Sequence, residues 1–328
     1  MKRIEKVLVT GATGTVGNAI VNRLVADGRA VSAFVRNADR ASSVLPESVT
    51  LVTGDIADES AVAEAVGAVD VVFHSAGMPE QWLARKSGFQ SVNVGGTRNV
   101  VRGCMASGIR LAYTSTIDVF AWTPGEPFDE SKLDPHPRPT AYERSKQDAD
   151  RIVSEAVEHG LDAVFLHPSA VYGQAPAAEI ALNKLILDLA SEKVPVLMKG
   201  GLPPVHADDV AKGHLTAAAT ADAGSRFILA GDYMTLTSIA EVVRERRGTR
   251  VPPALPMWMA AGVAFAGEGL SKITRRPPMV ARGEQVFLAS HPVPVSSRAQ
   301  RELAWESRPF EIGVEQTLEH FAGKLERD

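Results

Sequence analysis

Lys6-Val7-Leu8-Val9-Thr10-Gly11-Ala12-Thr13-Gly14-Thr15-Val16-Gly17 decides the fold. An apolar run of strand character leads directly into glycines at a G-x-x-G-x-x-G spacing, and a helix-like stretch follows. Gly11 permits the tight turn. Gly14 has no side chain to keep a pyrophosphate away from the backbone. Gly17 lets the helix pack closely on the strand. The helix N-terminus then offers unpaired N–H groups and the positive end of its dipole to phosphates. Thr13, Thr15 and Val16 lie between these glycines and belong to the same expected phosphate site. A lone glycine motif can be a mere tight turn; between a first strand and a first helix it predicts a dinucleotide cradle.

Outward from this segment the pattern repeats. Strand character recurs at 30–35, 49–52, 69–73, 111–115 and 163–167, and helical character at 18–27, 59–66, 96–107 and 142–159. Strands alternating with helices at this spacing imply right-handed βαβ units around a buried parallel sheet. The expected architecture is therefore α/β: a doubly wound parallel sheet of the Rossmann type over residues 1–175. The chain is expected to return to the sheet around 203–231, and 176–328 to form mainly a smaller, α-rich substrate domain. The second half shows helical character at 179–190, a strand turning into a helix over 205–219, a strand at 227–230 and a helix at 238–247. An apolar run at 255–267 is shorter than the roughly 20 residues that span a bilayer, and reads as a buried or interfacial helix.

The balance of 35 basic against 39 acidic residues gives a net charge of −4 and no electrostatic reason to expect nucleic acid. One cysteine, Cys104, rules out a disulfide framework and any cysteine-based zinc cluster, and points to a reducing, cytoplasmic compartment. No secretory signal opens the sequence and no transmembrane segment is expected. His206 with Asp208 and Asp209 reads more simply as a strand end and helix cap than as a metal site, so no metal is expected.

The end of the second strand bears on the type of dinucleotide. An acidic residue there would bond the ribose hydroxyls and favour NAD; Phe34-Val35-Arg36-Asn37 has none. Arg36, with Arg40 nearby, is placed to hold a 2′-phosphate, so NADP is expected, with NAD as the alternative. In Gly54-Asp55-Ile56, Asp55 is either an acceptor for the adenine amino group or a turn residue. Ser75-Ala76-Gly77, after His74, are small enough to let the cofactor cross the strand tips.

Tyr142-Glu143-Arg144-Ser145-Lys146 places a phenol and an amine one helical turn apart on one face. A phenol with a pKa of about 10 is a poor base at neutral pH. A nearby ammonium favours the phenolate, so Tyr142 can exchange a proton with a substrate hydroxyl or carbonyl while hydride moves. Thr116 and Ser115, after the fifth strand, offer hydroxyls on the same sheet edge.

Together these motifs resemble the extended short-chain dehydrogenases/reductases, the NAD-dependent epimerase/dehydratase superfamily. The resemblance runs through Thr10 to Gly17, Gly54-Asp55-Ile56, Asn93-Val94-Gly95-Gly96-Thr97, Tyr113 to Phe120, the prolines Pro135, Pro137 and Pro139, and Tyr142 to Lys146. It continues with His167 to Gly173, Val205 to Ala211 and Ser297 to Trp305. It implies Tyr142 as acid/base with Lys146 as its partner, Thr116 (Ser115 second) as the hydroxyl, Asn93 as support near the cofactor, and Pro168 and Val171 beside the nicotinamide. It also implies a homodimer through helices 96–107 and 142–159. Two positions depart from the pattern. His167 stands where many members have arginine. Ile117-Asp118 stands where nucleotide-sugar dehydratases carry an Asp-Glu pair, which argues against water elimination.

Leu255-Pro256-Met257-Trp258, Glu268, Arg275-Arg276-Pro277-Pro278-Met279 and His74 resemble the 3β-hydroxysteroid dehydrogenase and dihydroflavonol reductase branch. This implies a hydrophobic secondary alcohol or ketone, steroid- or flavonoid-like, as the small-molecule substrate of an oxidoreductase. The alternatives are a nucleotide-sugar epimerase with tightly bound NAD, for which Arg226, Arg275 and Arg282 are candidate diphosphate ligands, and a redox-sensing module that binds NADP without chemistry.

Overall fold

The computed structural model describes residues 4–79, 87–176, 181–255 and 287–326. Its centre is a sheet of β1 (Lys6–Thr10), β2 (Ala30–Val35), β3 (Thr50–Thr53), β4 (Val71–His74), β5 (Arg110–Thr114), β6 (Ala163–Pro168) and β7 (Arg226–Leu229). The spatial order is β7-β6-β5-β4-β1-β2-β3, and every pair is parallel. The order reverses between β1 and β4, which is where an open α/β sheet leaves a ligand crevice at its carboxyl edge.

Side-chain alternation builds the two faces. Val7 and Val9 of β1 point to one side, with Val31, Ala33, Phe73 and Leu166, and meet α1 (Thr15–Ala26). Leu8 points to the other, with Val72, Leu111, Tyr113 and Phe165, and meets α2 (Glu59–Val66), α3 (Thr97–Ser107) and α4 (Ala141–Glu158). Each buried Val, Leu or Phe among them is worth roughly 1.5–3 kcal/mol. A separate cluster joins α5 (Ala181–Ala190), α7 (Leu236–Arg247) and α8 (Phe310–His320) through Leu182, Ile186, Ile239, Val243, Val314 and Leu318.

After Pro204–His206 pairs with Ala170–Tyr172, α6 (Ala207–Thr220) packs across α1, and β7 then extends the sheet beside β6. Arg23 of α1 bonds Asp208 at 2.7 Å, and Arg308 reaches Asp208 and Asp209 at 2.7 Å each. The His206 ring accepts the N–H of Asp208 at 3.2 Å, so the His-Asp-Asp group is a helix cap within an ion-pair cluster.

Three local details differ from the sequence reading. Helix α1 starts at Thr15, because residues of the glycine motif already carry helical backbone. A short helix, Ala38–Ser42, follows β2 and is capped by Asn37. A π-helical segment, Gln90–Gly96, runs into α3. The expected apolar helix at 255–267 lies outside the described residues except for Leu255, which pairs in a two-residue strand with Met198. Among the described residues no helix is long and apolar enough to cross a membrane.

Candidate active site

Both α2 and α4 begin with side-chain caps. Asp58 accepts from the backbone of Ser60 and Ala61, and Thr140 and Glu143 form a reciprocal capping box. By contrast α1 has Gly14 at its cap, no side-chain bond there and no acidic residue in its first turn. Its leading N–H groups therefore face the crevice between β1 and β4 without a side-chain acceptor, as phosphate binding requires. A Cβ on Gly14 would meet just the Gly11 carbonyl oxygen at 3.3 Å, so the approach is open.

The other two glycines serve packing. Gly11 sits at φ +71°, and a Cβ there would lie 2.6 Å from the backbone nitrogen of Ala76; on Gly17 it would lie 2.2 Å from the Gly11 oxygen. Ser75 and Ala76 form the opposing wall. The Ser75 hydroxyl donates to the carbonyl of Thr10 at 2.8 Å, and the Ala76 N–H to the Thr10 hydroxyl at 3.2 Å. Ile56 presses on Gly96, and Gly77 borders the Asn93 amide. Asp55 accepts the N–H of Ala57 on one carboxylate oxygen at 2.9 Å, a turn role. Arg36 is exposed at the tip of β2. The residues present fit a dinucleotide.

A directed chain of hydrogen bonds stiffens this wall. Thr97 donates its hydroxyl to the Asn93 carbonyl at 2.6 Å, so it accepts from Nε2–H of His74 at 3.0 Å. Nδ1 of His74 then accepts from the Thr10 hydroxyl at 2.7 Å. Burial pulls His74 down to about 3, which keeps the ring neutral and both bonds in place. Its place in this network is one sequence reading missed, because Thr10, His74 and Thr97 are far apart in the chain.

On the other side of the crevice, α4 carries Tyr142, Ser145, Lys146 and Asp150. Tyr142 is half-buried, with its ring edge-on to Phe89. The amide of Asn93 donates to the Ser145 hydroxyl at 2.9 Å, which donates to the Tyr142 carbonyl at 2.6 Å. The same amide holds both backbone groups of Met78. The π-helical Asn93 thus clamps the first turn of α4 to the segment after β4. Nζ of Lys146 donates to the carbonyl of Thr114, at the tip of β5, at 2.8 Å. Burial pulls this ammonium down to about 8, against the attraction of Asp150 and Asp118.

The two hydroxyls that follow β5 part company. Ser115 donates to Oδ2 of Asp150 at 2.6 Å, and Asp150 pairs with Arg226 at 2.8 Å, so its proton is committed to a buried pair. Thr116 caps a single turn, Ile117–Val119, and its hydroxyl meets Oδ2 of Asp118 at 2.7 Å. Burial pushes Asp118 up to about 6. His167 donates from Nδ1 to the Thr116 carbonyl at 3.2 Å; burial holds the ring neutral, down to about 3. Nε2 of the same ring accepts from Arg226 on the adjacent strand at 3.4 Å. Arg226 is therefore placed against Asp150 and is not a diphosphate ligand in the second half of the chain; Arg275 and Arg282 lie outside the described residues. Pro168 ends β6, and Val171 pairs with Val205 beside it.

Residues 7–230 match the model of the NAD dependent epimerase/dehydratase family. The chain is 28% identical to sterol demethylase protein B of Methylococcus capsulatus, over 90% of this chain and 92% of that one. It is 29% identical to a putative dihydroflavonol 4-reductase of Synechocystis, over 83% and 81%. The crystal structure of gox2253 superposes with a TM-score of 0.85 at 28% identity, covering 98% of both chains. The glycine cradle, the β1–β4 crevice and the Tyr142–Lys146 helix at its rim are thus those of a member of the NAD dependent epimerase/dehydratase family, the extended short-chain dehydrogenases/reductases.

Proposed function

We propose that the protein is an NAD(P)-dependent oxidoreductase that interconverts a hydrophobic secondary alcohol and its ketone. The observation that carries this reading is Lys146, held by Thr114 at the carboxyl tip of β5 one helical turn from Tyr142. A nicotinamide bound at the crevice supplies or takes up hydride. Tyr142 gives a proton to the substrate oxygen in reduction and takes one in oxidation, while the Lys146 ammonium lowers the energy of the phenolate. Thr116 hydrogen-bonds the reacting oxygen, and Asn93 fixes the start of α4 through Ser145. Gly11 to Gly17 would hold the pyrophosphate and Asp55 and Ile56 the adenine side, Ser75 to Gly77 would let the cofactor cross the strand tips, and Pro168 and Val171 would lie beside the nicotinamide. Arg36, exposed at the β2 tip with no acid beside it, favours NADP over NAD. The names of the two relatives support an apolar, polycyclic substrate.

Purified protein is assayed with NADPH and NADH against cyclohexanone, a ketosteroid and a dihydroflavonol, and with the oxidised cofactors against the matching alcohols. Turnover with at least one pair is expected. Tyr142→Phe should bind cofactor normally while losing about 10²–10⁴ in rate. Absence of turnover in both directions across the panel, or full activity in Tyr142→Phe, overturns the proposal.

A further inference from the structure

The sequence pairs Thr116 with Asp118 two residues on, and the structure closes that pair: Oγ1 of Thr116 lies 2.7 Å from Oδ2 of Asp118, and the Asp118 N–H points back at the same hydroxyl oxygen at 3.4 Å. Both side chains are buried. The other carboxyl oxygen, Oδ1, is buried without a hydrogen-bond partner among the described residues. An ionised carboxylate with one bare oxygen in a dry site is costly, so a proton is readily held there.

We propose that Asp118 is a positioning residue that sets which way the Thr116 hydroxyl points, and so whether the site receives a ketone or an alcohol. The inference rests on the oxidoreductase reading above. A threonine hydroxyl has one hydrogen and two acceptor positions. The Asp118 N–H occupies one acceptor position in either state. When Asp118 is ionised, Thr116 must donate its hydrogen to Oδ2, which leaves one lone pair for an incoming alcohol O–H. When Asp118 is protonated, Oδ2–H donates to Thr116 and fills that lone pair. The Thr116 hydrogen is then free to donate to a ketone oxygen. Asp118 contributes no proton to product, since Tyr142 carries that role; it sets the direction of one hydrogen bond.

The charged groups that face Asp118 come from two elements. Helix α4 brings Glu143, which disfavours the carboxylate, and Lys146, which favours it; the segment ahead of α4 brings Arg138, which also favours it and is itself paired with Asp134 at 3.2 Å. From β6, His167 touches the Thr116 carbonyl and the Phe120 ring as a neutral group. Burial outweighs the two cations and leaves the Asp118 carboxyl titrating at about 6, so both hydroxyl directions are accessible around neutral pH.

The test has a spectroscopic and a kinetic arm, both on the full chain. Carbon NMR of labelled aspartate carboxyls, with Asp118 assigned through Asp118→Asn, should find its midpoint near 6. Thr116→Val, which removes the donor to the carboxylate, should raise that midpoint. In the kinetic arm, kcat/KM for cyclohexanone reduction and cyclohexanol oxidation is followed from acid to neutral pH. For wild type, ketone reduction should fall and alcohol oxidation rise by a few-fold to about tenfold through the same midpoint, mainly in KM. Asp118→Asn should lose both limbs and still turn over. An Asp118 midpoint in the ordinary carboxylate range, or one unmoved by Thr116→Val, overturns the inference. So do limbs that persist in Asp118→Asn, a result that leaves the oxidoreductase reading intact. Failure of wild type to turn over any pair of the wider panel removes that reading and this inference with it.

Discussion

Nζ of Lys146 donates to the backbone carbonyl of Thr114 across 2.8 Å, so α4 is tied to the last residue of β5 by a buried charge. Burial brings this ammonium down to about 8. Above that pH it becomes neutral and no longer stabilises phenolate on Tyr142. We expect kcat/KM for reduction to fall as pH rises through about 8, and Lys146→Met to lack that limb. The stability effect has the opposite sense. Unfolded lysine titrates near 10.5, so folding releases a proton between about 8 and that value, and stability rises with pH across the window. Between about pH 8 and 9, below the titration of unfolded cysteine, urea midpoints should climb more steeply for wild type than for Lys146→Met.

The glycines of the cradle separate binding from folding. A Cβ on Gly17 would meet backbone at 2.2 Å, which no rotamer relieves. Gly17→Ala should cost at least about 1–3 kcal/mol of stability. Gly14→Ala meets one atom at 3.3 Å and should leave the melting temperature within a degree or two of wild type. It should nevertheless weaken dinucleotide binding by about tenfold or more, because the methyl group occupies the phosphate approach. Calorimetric titration with NADPH beside thermal melts distinguishes the two effects.

Arg226 and Asp150 are 14% and 3% exposed and pair at 2.8 Å. Arg226→Met strands a buried carboxylate and should cost about 3–5 kcal/mol in urea unfolding. The double variant Asp150→Asn with Arg226→Met should cost less than Arg226→Met alone. If the double variant is the less stable of the two, Asp150 is not held charged by Arg226.

Arg36 is tested by cofactor preference. Arg36→Ala should weaken NADPH by about tenfold, which is one charge-assisted contact, and leave NADH nearly unchanged. Equal losses for both cofactors would remove Arg36 from the 2′-phosphate site.

Much of the frame was legible in the sequence because its signals are local. Strand runs such as 30–35, the glycine motif, and the four-residue spacing of Tyr142 and Lys146 each depend on neighbours within a turn or a strand. The Thr140–Glu143 capping box, equally local, went unread, and the helix starts at Ala141, one residue before the expected Tyr142. What stayed hidden depends on distant contacts. Ser115 ranked second to Thr116 in sequence only by resemblance; the physical difference between them comes from Asp150, 35 residues away. Arg226 was a candidate diphosphate ligand only under the epimerase alternative; the return to the sheet brings it to Asp150, 76 residues earlier in the chain. Asp118 entered the sequence reading as half of a missing acid pair; its burial and its bond to Thr116 are tertiary facts.

The contact between α1 and α6 has a consequence for biosynthesis. Ile20, Val21 and Leu24 on the first helix are covered in part by Val210, Ala211 and Ala217, and Arg23 finds Asp208 185 residues later. A nascent polypeptide that has emerged only to residue 175 already contains the glycine loop, yet its first helix still shows bare apolar surface. The first helix therefore gains its full cover only when the segment that forms α6 has been made.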